Sequence, residues 1–210
     1  MLKWILLGLV VLCVEVVVIV ALVADGAIGR AIQKEKAEAT AWLGITVAAR
    51  LDERAQRWFN QNFVHNGVVG ATYDYLIPDE KVRQQSGTLA DVGRHDVFPY
   101  MERRLNVLWD AVRQVTYRLA LLALWLPYLL PLAAIAVLDG LMRRRIKLAE
   151  FGNSSPAVHR YSLYTILALL YLLLLGLLLP LPLSPVVAPL MLGILIICIN
   201  LLLANTPKRV

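Results

Sequence analysis

YSLYTILALLYLLLLGLLL, from Tyr161 to Leu179, is an apolar run without a single charge. About 20 helical residues cover a hydrocarbon core of about 30 Å, so this run is long enough to cross a bilayer. Three further runs match it: Trp4–Ala24, charged only at Glu15; Tyr117–Leu138, with Arg118 at its edge; and Pro185–Leu203, uncharged. Lipid offers backbone groups no partners, so helices are the expected form. The fold class that follows is all-α, a polytopic membrane protein with four transmembrane helices. Their bounds are 1–25, 117–138, 161–179 and 185–203.

Composition points the same way. Of 210 residues, 59% are hydrophobic and 17% charged, against about 45–50% and about 25% in an ordinary soluble domain. Disorder, collagen-like repeats and a disulfide-rich secreted scaffold are excluded, and a soluble enzyme nearly so. Cys13 and Cys198 both fall inside spans, where they cannot staple an extramembrane domain. The first run is longer than the apolar region of a signal peptide, carries Glu15 and lacks a clean small-x-small cleavage site, so it reads as a retained anchor.

Charge sets the expected orientation. The formal net charge is +6. Residues 25–116 carry twelve Lys/Arg against twelve Asp/Glu. The excess lies on Lys3, on the connection 139–160 and on Lys208 with Arg209. An even number of spans places these three segments on one side, which is the positive-inside pattern. Both termini, with the tail 204–210, and the basic loop 139–160 are therefore expected in the cytoplasm. Residues 26–116 and the turn 180–184 are expected outside.

Within the outer segment, residues 26–62 read as one long helix, with Leu43, Val47, Leu51, Ala55 and Phe59 as its apolar stripe. No Pro interrupts it, so the first span can run on into it. His65-Asn66-Gly67 ends it as a turn. Pro78-Asp79-Glu80 can start a short helix that Ser86-Gly87 breaks. From Pro99, Met101, Leu105, Leu108, Val112, Val115, Leu119 and Leu122 form a heptad seam leading straight into the second span. The expected result is an extracytoplasmic helical hairpin of 26–62 against 99–116. Trp42, Trp58 and Trp109 would then serve its seam or another subunit.

The chemistry-bearing residues are few. His65, His95 and His159 are scattered outside the spans and show no zinc spacing. No Walker-type glycine loop and no buried Ser–His pairing is present. No catalytic residue, cofactor or metal is assigned, and no enzyme activity is expected. Glu15 is the one acid deep in a span. It lies about 16 Å from the cytoplasmic end of its helix, a depth matched by Tyr128 and Tyr171, so Glu15 is expected to be protonated or hydrogen-bonded to one of these hydroxyls, facing protein rather than lipid. Pro127 and Pro131 should kink the second span. Arg143, Arg144, Arg145 and Lys147 form the densest charge cluster. They suit either anionic headgroups or an acidic patch on a partner, and direct nucleic-acid binding is not expected of them.

Two stretches carry a resemblance: Pro131-Leu-Ala-Ala-Ile-Ala-Val-Leu-Asp139-Gly140-Leu-Met-Arg143-Arg-Arg-Ile-Lys147 and Phe151-Gly-Asn-Ser-Ser-Pro156-Ala-Val-His-Arg-Tyr161. They resemble a family of inner-membrane proteins encoded on integrating conjugative elements and conjugative plasmids of proteobacteria, beside the type IV coupling protein. The likeness is closest over about 125–165. It implies a bacterial inner-membrane location, with 26–116 periplasmic, and a non-enzymatic role in conjugative DNA transfer (type IV secretion). The partners it implies are the coupling ATPase or other secretion subunits, alongside membrane lipids, in a hetero-oligomer with several copies allowed. It brings no catalytic residues. In physical terms, Asp139-Gly140 can end the second span, with Gly140 as a helix cap. Asp139 can pair with Arg143 or Arg160 to fix the loop, and Ser154 or Ser155 before Pro156 can start the next helix. The alternatives are a small oligomeric channel or transporter, against which the apolar third and fourth spans speak, and a transmembrane signal-relay subunit.

Overall fold

The computed structural model describes residues 2–77, 97–149 and 155–206, and every element among them is helical. The expectations at Pro78-Asp79-Glu80, Ser86-Gly87, His95, Ser154, Lys208 and Arg209 lie outside the described residues. The helices are α1 (Leu2–Leu22), α2 (Ala27–Leu43), α3 (Ile45–Phe59), α4 (Val68–Leu76), α5 (Val97–Ala149), α6 (Pro156–Leu178) and α7 (Val187–Ala204). A π-helical turn, Asn60–Val64, prolongs α3. Among the described residues three helices are long and apolar enough to cross a membrane, and up to four if the bent pair α1–α2 counts as one span.

The chain divides into two compact units, residues 1–120 with 177–182 and residues 121–176 with 183–210. In the first unit, the expected continuous run from the first span into a helix over 26–62 does not form. The chain bends by 109° between α1 and α2, where Gly26 takes the left-handed φ of 72°. Arg104 holds this corner. Its guanidinium donates to the Val23 carbonyl (2.8 Å) and to Asp25 (2.9 Å), meeting main-chain oxygen left open at the end of α1.

The second break is Gly44, at φ 82° and ψ 158°, a region essentially closed to other residues. In an unbroken helix Lys36 and Asp52 would stand about 24 Å apart. Here Lys36 Nζ meets Asp52 at 2.6 Å, so α2 and α3 fold back on each other. A hairpin therefore forms within 27–59 rather than from one long helix there. The stripe reading missed this because periodicity on both sides of Gly44 is helical, and only the backbone at one residue departs from it.

Two apolar clusters hold this unit. Ile19 of α1 packs with Ile28 and Ile32 of α2 and Val107 of α5. Phe59 packs with Leu105 and Trp109, with Phe63 and Tyr73 beside them. Phe59 and Phe63 meet the Trp109 ring edge-on, at 6.3 and 5.9 Å. Burial of such side chains contributes about 1.5–3 kcal/mol each. Of the seam expected on α5, only Leu105 is fully buried among the positions up to Leu119, and Leu119 itself is exposed. The buried face is instead Val107, Gln114 and Arg118, which α2 covers.

The second unit holds the apolar part of α5, most of α6 and α7. Leu130, Ile135, Leu138, Leu172, Leu190 and Ile197 are all more than half exposed. Such a surface suits lipid contact and is foreign to water-soluble monomers. α5 is helical through Pro127 and Pro131 and through Asp139-Gly140, ending only at Ala149. Gly140 is thus no helix cap, and residues 139–149, expected as part of a loop, are helical. The physical reason lies in α7. A Cβ at Gly140 would stand 2.9 Å from the Asn200 carbonyl oxygen, so this glycine serves close helix packing. At the start of α6, Ser155 Oγ accepts a long hydrogen bond (3.4 Å) from the Val158 amide, in the manner of an N-cap.

Candidate functional site

The most deeply buried polar group set lies in the first unit. The Arg118 guanidinium is 5% exposed and the Glu35 carboxylate 3%. Arg118 Nη2 and Nε donate to Glu35, Nε at 3.1 Å to Oε1. Gln114, one turn before Arg118, donates to the same oxygen at 3.1 Å. The other edge of the guanidinium donates to the main-chain carbonyls of Leu177 (3.2 Å), Leu179 (2.7 Å) and Leu181. These carbonyls lie at and beyond the end of α6, where helix geometry leaves acceptors open and a cation is favoured. One side chain on α5 thus joins α2 to the α6 terminus. A buried ion pair persists only when its remaining hydrogen-bonding capacity is met, and these carbonyls meet it.

Sequence reading places Arg118 at a span edge and does not mark Glu35 or Gln114. The signal that finds them is compositional. Glu35 stands on the apolar stripe Ile28-Ile32-Glu35-Ala39, and Gln114 and Arg118 stand on the stripe of Val107. An acid and a base, each on a face that must be buried, call for one another.

Beside this cluster lies an apolar cleft of about 510 Å³. Val16, Ile19 and Val20 of α1 line it, with Trp58 and Phe63, and with Leu108, Val112, Val115 and Leu119 of α5. These four heptad positions of α5 therefore face an open cleft. Trp109 is buried in the core, Trp58 lines the cleft and Trp42 is 66% exposed.

Tyr73 fixes α4 to α5 by donating to Asn106. Burial and the carboxylates of Glu102 and Asp110 push its hydroxyl above its ordinary pKa, so it remains a donor.

Glu15 is half-buried in the first unit, and its Oε2 accepts no hydrogen bond among the described residues. Tyr128 and Tyr171 belong to the second unit. Tyr128 is 71% exposed and meets Trp125 edge-on at 6.2 Å. In that unit Asp139 pairs with Arg143 (2.9 Å) and accepts from Asn200 (2.9 Å). Asn200 also donates to the Ala136 carbonyl (2.6 Å), and Lys147 donates to Asn205 (2.9 Å). Of the basic cluster, Arg143 and Lys147 are thus engaged with nearby polar groups. Arg145 and Arg160 are exposed, and Arg144 is half-buried. Among the described residues no group of three or more His, Cys, Asp or Glu is gathered as for a metal ion.

The family described as IncC plasmid conjugative DNA transfer protein DtrJ-like matches residues 35–206. The matched stretch begins at Glu35 and contains Gln114, Arg118 and the cluster 139–147. No curated protein and no solved structure matches the chain.

Proposed function

Since the chain belongs to the DtrJ-like family of conjugative DNA transfer proteins, we propose that it is a non-enzymatic inner-membrane subunit of the transfer apparatus. In this reading it binds and steadies the DNA-translocating coupling ATPase through its helices. The observation that carries this reading is the open cleft along α5. A heptad seam is built to receive a helix. Here Leu108, Val112, Val115 and Leu119 face a cleft that no segment of the described chain fills. Coupling ATPases of this kind bring membrane helices of their own, and one such helix is the occupant that fits. Arg145 and Arg160, exposed on the side expected to be cytoplasmic, add a basic surface for an acidic patch of the same partner.

The test is affinity purification of the tagged chain in mild detergent from cells competent for transfer. Recovery of the coupling ATPase is expected, and Val112→Trp, which fills the cleft, should reduce it. Recovery of copies of the chain alone, with ion flux in liposomes, would overturn the reading in favour of a channel.

A further inference from the structure

The hairpin of α2 and α3 ends in an uncharged tip. From Ala39 to Ala49 there is no charge, while Glu38 and Arg50 bracket the stretch. Trp42 is 66% and Ile45 79% exposed. Large apolar side chains at a turn that faces only water are a cost without a return. The charged surface of the same hairpin is one-sided. Its exposed charged residues are Arg30, Lys34, Arg50, Arg54 and Arg57 against Glu53 alone. Glu35 is spent on Arg118, Asp52 on Lys36, and Glu38 is half-buried.

Geometry says what this surface meets. α1 is the apolar helix of this unit, and α2 leaves it at 109°, slightly past a right angle. With α1 along the bilayer normal, α2 therefore turns back toward the membrane that α1 has left. Its contacts agree: Ile28 and Ile32 lie by Val107, while Lys36 lies over the Tyr117 ring at 6.0 Å. Proceeding along α2 thus follows α5 from Val107 toward Tyr117, where the expected second span begins. The tip at Gly44 lies about two turns farther along α2.

We propose that the α2–α3 hairpin docks on the anionic headgroups of the bilayer that α1 crosses, with Trp42 and Ile45 seated in the interface. Trp suits this zone, since its ring is apolar and its N–H polar. Basic side chains near an anionic surface each add an attraction that falls off within a Debye length. The hairpin is then an interfacial element that fixes the height of the Glu35–Arg118 cluster against the membrane. The proposal rests on the reading of the apolar helices as spans and is independent of the transfer partner.

The test uses the full chain, with Cys13→Ala and Cys198→Ala, in nanodiscs containing phosphatidylglycerol. A nitroxide is placed singly at 45, at 56 on the exposed side of α3, and at 197 on exposed α7. Collision with oxygen, which concentrates in lipid, is compared with collision with a water-soluble nickel chelate. Positions 45 and 197 should both favour oxygen severalfold over position 56. Replacing phosphatidylglycerol by phosphatidylcholine, or Arg50→Gln with Arg54→Gln, should lower the preference at 45 and leave 197 unchanged. If 197 favours oxygen while 45 behaves like 56, the docking proposal is overturned. It is overturned in its choice of anionic headgroups if 45 is lipid-immersed regardless of lipid charge. If 197 itself collides mainly with the chelate, the span reading fails first and takes this proposal with it.

Discussion

Arg118 and Glu35 stand 83 residues apart in the chain and bury one charge against the other. The same guanidinium holds the last carbonyls of α6. Both side chains are at least 95% buried. Glu35→Ala or Arg118→Ala is therefore expected to cost about 3–5 kcal/mol, the usual penalty for leaving a buried charge alone. Thermal unfolding in detergent, followed by tryptophan fluorescence, reads this loss. Glu35→Leu combined with Arg118→Met should recover part of it. Recovery stays incomplete because the Leu177, Leu179 and Leu181 carbonyls lose their donor.

Gly44→Ala should open the hairpin. Nothing lies within 4 Å of a Cβ built there, so the cost is conformational, about 1–3 kcal/mol for a residue held in that region. Spin labels at Glu38→Cys and Arg50→Cys, flanking the turn equally, should show one short distance in the parent and a longer, broader distribution in the variant. An unchanged distribution would count against Gly44 as the determinant of the fold-back.

Gly140→Ala and Gly193→Ala should part in sign. At Gly140 the new methyl meets the Asn200 carbonyl oxygen at 2.9 Å and the Leu203 Cβ at 3.1 Å. Overpacking of this kind costs about 1–3 kcal/mol. At Gly193, inside α7, nothing lies within 4 Å. Alanine there should gain about 0.5–1 kcal/mol from helix propensity. The two melting temperatures, measured side by side, decide whether α5 and α7 approach as closely as described.

Glu15→Gln should leave transfer frequency near the parent value. An amide keeps hydrogen-bonding capacity and removes only the charge, which the site has no need of if its role is packing. A severe fall in transfer with normal membrane levels would instead mark Glu15 as a proton-handling group. Alanine at Arg143, Arg144 and Arg145 together is expected to weaken recovery of the coupling ATPase while topology, mapped by cysteine labelling, stays unchanged.

What the residue order determines here is local and one-dimensional. The run Tyr161–Leu179 is apolar and long enough to span, and nothing elsewhere in the chain can alter that. Helix type, the approximate ends of α6 and α7 and the Ser155-Pro156 start follow from the same kind of information. The motif around Asp139 and Arg143 also points to the transfer family. Tertiary structure decided the rest. Periodicity marks that one face of α5 is apolar, but it does not name what covers it. α2 took the face of Val107, Gln114 and Arg118, and left Leu108 and Val112 on a cleft. Gly44 and Gly140 carry the same side chain, yet one makes a turn and the other a close helix contact. Glu35 finds Arg118 only when α2 folds across α5, because the energy of a buried ion pair depends on distance in space, which spacing along the chain does not encode.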